Sequence, residues 1–132
     1  MVKVFLDSNI ILYAFSDDIR QHVALALMGE GFEASAQVLN EVANVSRRKY
    51  RKDWDTVHRA LEFVVLSADF IHPVTMAAHV LGMKFAGRYE YSVYDSVLLA
   101  TAYLTGCDTL FSEDMHDGMV IENRLTIRNP FA

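Results

Sequence analysis

The sequence predicts an α/β fold in which a parallel or mixed central sheet carries helices on both faces. Short apolar segments of β-like character alternate along the chain with longer segments of helical periodicity. Such alternation is typical of parallel strands that are joined by helical crossovers. The 132 residues show no repeat, low-complexity stretch or linker, so we expect a single domain over residues 1–132.

The first predicted strand, Val2–Leu6, is short and mostly apolar, and it ends at Asp7. Ser8 and Asn9 then supply helix-capping side chains before the apolar run Ile10–Tyr13. Asp7 therefore lies at a strand-to-helix junction. An aspartate there is often only a helix N-cap. The carboxyl ends of strands are also where α/β proteins bind ligands, so both interpretations stay open at this point.

The next predicted elements are a brief strand and two helices. The strand covers Phe32–Ser35, and Ser35 is expected to cap a helix from Ala36 to Tyr50. Asp53 is expected to cap a second helix that continues through about Leu66. This segment therefore predicts one strand followed by two consecutive helices.

The following segment predicts an edge strand and two more helices. Phe70–Val74 is assigned to a sheet edge because it contains a proline, which a central strand tolerates poorly. Thr75 is expected to begin a helix that Gly87 ends. The strongly apolar segment Val93–Leu104 predicts a buried helix that is closed by Gly106.

The last predicted elements are a buried strand and a small terminal hairpin. Thr109–Phe111 is expected to be the strand, and the apolar segments 119–121 and 125–127 are expected to pair as the hairpin.

Four acidic residues occupy positions that suit a metal site. Asp7 and Asp114 each follow a predicted strand, whereas Glu41 and Asp95 lie close to the apolar faces of predicted helices. Without cations, gathering four carboxylates is unfavourable through repulsion and desolvation. Oxygen ligands without histidine or cysteine suit Mg²⁺ or Mn²⁺ rather than zinc. The pattern predicts metal-assisted phosphodiester hydrolysis, although Asp95 alone could simply complement a helix dipole.

The net charge of −5 argues against a general attraction to nucleic acid but does not exclude a nuclease, since bound cations offset clustered carboxylates. The one dense basic stretch is Arg47–Lys52. It is expected either to contact RNA phosphates or to complement the C-terminal dipole of its helix. The adjoining Trp54 could stack on a base or pack in the core, and of the two we expect it to pack in the core.

Composition also predicts location and assembly. The single cysteine, Cys107, cannot form an internal disulfide, and the N-terminus lacks the pattern of a secretory signal. No apolar run is long enough to cross a membrane, so we expect a cytoplasmic protein without membrane association. The 52% hydrophobic content predicts either a large core or an apolar surface that a partner covers.

Several short motifs together resemble the PIN-domain ribonuclease toxins (VapC-type) of toxin–antitoxin pairs. They are Phe-Leu-Asp-Ser-Asn-Ile at residues 5–10, Glu41, Tyr-Asp-Ser at 94–96, Leu-Phe-Ser-Glu-Asp at 110–114, Asp-Gly at 117–118 and Ile-Arg-Asn-Pro-Phe at 127–131. Each motif is weak alone, but their order and spacing are specific. One departure is Ser112, where the family more often has threonine.

The resemblance implies a three-layer α/β/α fold with a mainly parallel sheet and a Mg²⁺-dependent endoribonuclease activity. It also implies a homodimer and inhibition by a small antitoxin protein. The residues that would hold the metal and carry catalysis are Asp7, Glu41, Asp95 and Asp114. The residues that would support these ligands are Ser8, Asn9, Ser112 and Asp117. Asp117 is also a possible extra ligand.

Two other functions remain as alternatives. A non-catalytic binding or regulatory module of the same fold is one, and retention of all four acids argues against it. The other is a phosphatase of the haloacid-dehalogenase type, whose nucleophilic aspartate follows the first strand. That class normally has an acid two residues after the nucleophile, where this chain has Asn9.

Overall fold

The computed structural model describes residues 2–132 and contains six strands and six helices in that range. In chain order they are β1 (Val4–Leu6), α1 (Ser8–Ala14), α2 (Gln21–Gly29), β2 (Glu33–Ser35), α3 (Ala36–Arg48), α4 (Trp54–Ser67), β3 (Phe70–His72), α5 (Met76–Tyr89), α6 (Val93–Leu104), β4 (Thr109–Phe111), β5 (Val120–Ile121) and β6 (Leu125–Arg128).

The strands form one sheet in the order β3-β2-β1-β4-β6-β5. All neighbouring pairs are parallel except β5 and β6, which form an antiparallel pair at the edge. The mainly parallel sheet, the edge position of β3 and the terminal hairpin are therefore confirmed. Because β1 lies between β2 and β4, the ends of three parallel strands meet beside Asp7.

The helices pack in two groups that complete a three-layer α/β/α fold, as expected. In one group α1 contacts α2 and α3, and α3 contacts α4, whereas α5 and α6 pack extensively against each other. The buried core joins apolar side chains from the first strand to the last. None of the helices in this part of the chain has both the length and the apolar character to span a membrane.

One helix was not predicted, and two sequence expectations about local structure were wrong. Helix α2 was not predicted, because no side chain caps it and only Ala24 and Met28 of its residues are buried. Gly87 does not end α5, which continues to Tyr89. The Tyr89 hydroxyl bonds to Glu122 at 3.1 Å, and this tertiary contact outweighs the weak helix propensity of glycine.

Trp54 is not in the core. It begins α4, its side chain is 54% exposed, and the guanidinium of Arg47 lies 4.7 Å from its ring centroid. The helix instead turns Val57 and Val64 inward. As the first residue of α4, Trp54 lies at the exposed end of the helix beside Arg47 instead of in the core.

Close packing of α5 against α6 predicts that Gly82→Ala destabilises the protein. A Cβ at Gly82 would lie 2.9 Å from Cγ2 and 3.0 Å from Cα of Val97. Overpacking of this kind typically costs about 1–3 kcal/mol, against about 1 kcal/mol gained from helix propensity. We expect a lower free energy of unfolding in urea.

Gly87→Ala on the same helix is the matched control, because its Cβ would meet nothing within 4 Å. This variant should be stabilised by about 0.5–1 kcal/mol. Equal stabilities for the two variants would show that α5 and α6 are not packed this tightly.

Candidate active site

Asp7 occupies the centre of the site, at the carboxyl end of the central strand β1. Its side chain caps α1 by accepting a hydrogen bond on Oδ1 from the Ser8 backbone N–H at 2.7 Å. Oδ2 accepts a second bond from the Ser112 hydroxyl at 2.8 Å, because β4 runs parallel to β1 and ends beside it. Asp7 is only 4% exposed. The Asp7 carboxylate is therefore both the N-cap of α1 and part of the site.

Burial raises the pKa of Asp7 from 3.8 to about 7. The hydrogen bonds from Ser112 and Ser8 act in the opposite direction, and the nearby charges of Glu41 and Asp95 raise the pKa further. Desolvation dominates because the ionised carboxylate loses its water and gains only two short hydrogen bonds. At neutral pH this group is poised to ionise if a cation approaches it.

Asn9 connects Asp7 to the loop that follows β4. Its side-chain N–H donates to Oδ2 of Asp114 at 3.1 Å and more weakly to Oδ2 of Asp7 at 3.4 Å. Its carbonyl oxygen accepts from the Glu113 backbone N–H at 3.2 Å. Asn9 therefore holds the exposed Asp114 beside the buried Asp7.

Glu41 enters the site from the second turn of α3. Its Oε2 accepts from the Ser8 hydroxyl at 2.8 Å, and its Oε1 accepts from the Gln37 side-chain amide at 3.2 Å. The same amide donates to the Tyr94 carbonyl at 2.9 Å, which ties α3 to the start of α6. These contacts orient Glu41 toward Asp7 and Asp95.

Asp95 lies in the first turn of α6, whose N-cap is Ser92. Its pKa is raised mainly by partial burial, against a hydrogen bond from Ser92 that lowers it. The charges of Glu41 and Asp114 raise it further. Because Asp95 also interacts with Asp7, the four acids form one electrostatic cluster.

The cluster is open rather than a closed cage. Within residues 2–132, no three acidic, histidine or cysteine side chains lie close enough to enclose a metal ion by themselves. The Ser8 hydroxyl bridges Asp7 and Glu41, and the Asn9 amide bridges Asp7 and Asp114. The arrangement can accept cations and phosphate oxygens from solvent, with Asp7 at its base.

A comparison with protein-family models decides the classification. The PIN domain model matches residues 4–116, which include all four acids. The chain belongs to the PIN domain family. No curated protein matches the sequence of this PIN domain.

Solved structures with the same fold include several toxins. A VapC toxin of Mycobacterium tuberculosis that cleaves the sarcin–ricin loop is 21% identical, with a TM-score of 0.65 over 85% of this chain and 92% of that one. A toxin–antitoxin complex from Klebsiella pneumoniae is 22% identical, with a TM-score of 0.70 and 97% of each chain covered.

A third similar structure is a VapBC complex of Rickettsia felis bound to a DNA fragment from its promoter. It is 18% identical to this PIN domain, with a TM-score of 0.70 over 98% of this chain and 100% of that one. At these identities the comparisons establish a shared fold.

Asp117 lies apart from the contacts that join the other acids. Its Oδ1 accepts a hydrogen bond from the Asn129 backbone N–H at 2.9 Å, which ties the loop before β5 to the end of β6. Its role as an extra ligand stays a prediction, and this contact gives it a structural role in the PIN domain.

Two further residues border the site that the sequence did not suggest. Gln37 bridges Glu41 and α6, and its position one turn before Glu41 was a signal that could have identified it. Arg20 pairs with Asp18 at 2.7 Å and with Glu113 at 2.9 Å. No local pattern links Arg20 to Glu113, because the contact joins distant parts of the chain.

Proposed function

We propose that this PIN domain is a metal-dependent endoribonuclease, the toxin of a toxin–antitoxin pair, which hydrolyses RNA phosphodiester bonds at the four-carboxylate site. The observation that carries the proposal is the position of Asp7. It is a buried carboxylate with a strongly raised pKa, surrounded by three further acids at the open end of the sheet. A binding module has no need of such an unfavourable cluster, whereas a cation site does.

The donor set fits Mg²⁺ or Mn²⁺. The site offers carboxylate oxygens, and Mg²⁺ usually binds proteins through one or two carboxylates together with waters and substrate phosphates. An open cluster therefore suits Mg²⁺ better than a tight cage would. Asp7, Glu41, Asp95 and Asp114 would hold the metal. When bound, it would lower the pKa of a water for attack on phosphorus and neutralise charge on the phosphate.

The chain's own residues would keep the ligands in position. Ser112 and the Ser8 backbone hold Asp7 through its two oxygens, so its carboxylate cannot rotate away from the cluster. Asn9 fixes Asp114, and Ser8 with Gln37 fixes Glu41. Such preorganised carboxylates receive a cation without further ordering.

The test of this proposal is to incubate the purified protein, free of any antitoxin, with total cellular RNA. New RNA ends should appear with Mg²⁺ and be absent with EDTA. Mapping those ends identifies the cleaved RNA. Cleavage at equal rates in EDTA, or no cleavage of any RNA at any Mg²⁺ concentration, would contradict the proposal.

Ser112→Ala is expected to weaken Mg²⁺ binding and cleavage by about 10- to 100-fold, because loss of an orienting partner typically has this effect. The Ser112 hydroxyl donates to Asp7 and accepts from the Asp114 backbone N–H. Ser112→Thr retains the hydroxyl and should keep most activity. Measuring cleavage against Mg²⁺ concentration checks both variants, and equal losses in the two would contradict a hydroxyl role.

The antitoxin is proposed to cover a groove of about 660 Å³ that lies between α1, α3 and α4. Its lining combines apolar Phe15 and Phe63 with charged Asp17 and Arg59, which suits an amphipathic segment. A basic side chain of that segment would enter the carboxylate cluster and replace the cation's charge. Inhibition should then weaken as Mg²⁺ is titrated into the complex, and complete insensitivity to Mg²⁺ would indicate a remote block.

The homodimer also stays a proposal. Helix α5 carries an exposed apolar stripe of Met76, Val80 and Met83, whose three- and four-residue spacing places them on one face. Light scattering at micromolar concentration should give about twice the 15.0 kDa monomer mass. A purely monomeric solution would count against the dimer.

A further inference from the structure

The corner between α3 and α4 concentrates the positive charge of the molecule. Residues 47–59 hold half of the 12 lysines and arginines and only two acids, which gives a net charge of +4. Since the whole chain carries −5, the remainder carries −9. The cations of this corner, all exposed, are Arg47, Arg48, Lys49, Arg51, Lys52 and Arg59.

None of these cations forms a salt bridge within residues 2–132, although the charges of Arg47 and Arg59 help to lower the pKa of Asp53. In the described range, the basic residues of the ion pairs are Lys3, Arg20, His72 and Arg88, and none belongs to residues 47–59. The carboxylate of Asp53 is used to cap α4, where it accepts from the Thr56 backbone N–H at 2.8 Å. The corner is therefore a positive surface on an acidic protein, which favours a polyanionic ligand.

Two aromatic side chains lie within this positive surface. Trp54 is 54% and Tyr50 is 44% exposed. The Arg47 guanidinium lies over the Trp54 ring, and the Lys49 ammonium lies 5.5 Å from the Tyr50 ring centroid. Unpaired bases stack on exposed aromatic and guanidinium planes, and phosphates bind the neighbouring cations. Aromatic planes beside cations therefore suit single-stranded nucleic acid better than a small anion.

The turn that carries these side chains is held by its own hydrogen bonds. The backbone N–H groups of Tyr50 and Lys52 donate to the carbonyls of Val45 and Ser46, at 3.3 and 3.0 Å. The Arg47 side chain donates to the Lys52 carbonyl at 2.9 Å. The surface is therefore ordered before any ligand arrives, which reduces the entropy lost on binding.

Helix α3 connects this corner to the carboxylates. Arg48 follows Glu41 by seven residues, which is close to two full helical turns. The two residues therefore lie on the same side of α3, about 10 Å apart along its axis. A short single-stranded segment bound at the corner can extend along α3 into the cluster.

We propose that residues 47–59 form a second RNA-binding surface, on which an unpaired base stacks against Trp54 and Arg47 while Arg48 and Arg51 bind the adjoining phosphates. This surface holds a single-stranded segment of the RNA so that the scissile phosphate of the same RNA lies at the four-carboxylate site. The inference rests on the proposed ribonuclease function and adds the site at which RNA is held.

Trp54 is the only tryptophan of the chain, so its fluorescence reports on this surface alone. A short single-stranded RNA is titrated into the Asp7→Asn protein in EDTA. Trp54 emission should change saturably, with the same midpoint as the anisotropy of the labelled RNA. Trp54→Ala should raise the Kd by about 5- to 140-fold, the range expected for loss of one stacked base. Trp54→Phe should retain most of the affinity.

Salt dependence tests the phosphate contacts. Arg48→Ala should reduce the slope of log K against log salt concentration by about 0.7, as expected for one lost contact to single-stranded RNA. Lys84→Ala is the matched control, because Lys84 is an exposed cation on α5, in the other helical layer. The salt dependence of RNA binding by Lys84→Ala should have the same slope as that of the parent protein. Circular dichroism melts of each variant confirm that it is folded.

Trp54 emission that stays constant at RNA saturation, with wild-type protein still cleaving RNA in Mg²⁺, would overturn this inference and leave the proposed function intact. A saturable change in Trp54 emission without RNA cleavage by the wild type would contradict the proposed ribonuclease function. It would still support RNA binding at the corner. If corner variants bound RNA normally, the inference would be wrong. Loss of antitoxin binding alone would not decide it, because Tyr50, Lys52 and Arg59 also line the groove proposed for the antitoxin.

Discussion

Replacing Asp7 by asparagine is expected to lower Mg²⁺-dependent RNA cleavage by at least about a hundredfold, because even residues that only orient metal ligands contribute about 10- to 100-fold. Asp7 lies at the base of the cluster, where the charges of Glu41 and Asp95 act on it and Asn9 links it to Asp114. Asparagine keeps its size and one oxygen acceptor but removes the charge. Cleavage rates at saturating Mg²⁺ measure the loss.

The same substitution should stabilise the metal-free protein at alkaline pH. Because the pKa of Asp7 is raised to about 7 in the fold, ionisation of this residue opposes folding. Its contribution to stability is fully present below pH 4 and is lost as the pH rises to 7, a loss of up to about 4 kcal/mol. Asp7→Asn should therefore raise the free energy of unfolding at pH 8 in EDTA, and much less at pH 4.5.

Asp69→Asn serves as the control for both effects. Asp69 is exposed and immediately precedes β3, at the opposite edge of the parallel sheet from the carboxylates. It should change neither activity nor the pH dependence of stability. A metal-free Asp7→Asn protein less stable than wild type at pH 8 would show that the Asp7 charge is compensated within the fold.

Mg²⁺ affinity is expected to increase by up to tenfold for each pH unit between about pH 5 and pH 7 and to level off above. The cation must displace the proton of Asp7, whose pKa is about 7, so below that pH each unit costs about a factor of ten in apparent affinity. The raised pKa of Asp95 steepens the dependence at the acidic end. Calorimetric titration of Mg²⁺ at several pH values measures it.

Proton release during the same titration provides an independent check. At pH 6, binding should release about one proton per site, whereas at pH 8.5 it should release almost none. In Asp7→Asn the affinity should be weaker and its pH dependence shallower. A wild-type affinity that is constant from pH 5.5 to pH 7 would mean that Asp7 is not a ligand.

The sequence was sufficient to predict most of the sheet and to predict that Asp7, Glu41, Asp95 and Asp114 lie near one another. Asp7 and Asp114 follow β1 and β4, and parallel strands bring their carboxyl ends to one edge. Glu41 and Asp95 could be placed because they lie within a turn of buried positions on α3 and α6. These inferences depend only on local periodicity and on the geometry of parallel sheets.

Other features depend on contacts between distant segments and could not be predicted in this way. Helix α2 has no cap signal, and α5 continues past Gly87 to Tyr89, whose hydroxyl bonds to the distant Glu122. The pairing of Arg20 with Glu113 and the bridge from Gln37 to α6 join segments that only the completed fold brings together. Trp54 is exposed as the first residue of α4, directly after the turn that joins α3 to α4.

A Mg²⁺ titration of RNA cleavage by wild type, Asp95→Asn and Asp69→Asn tests the four-carboxylate site most directly. We predict that wild type and Asp69→Asn are activated equally by Mg²⁺ and are inactive in EDTA. Asp95→Asn should need at least about tenfold more Mg²⁺ and reach a lower maximal rate. Cleavage by Asp95→Asn that matches wild type at every Mg²⁺ concentration would contradict the assignment of this cluster as the active site.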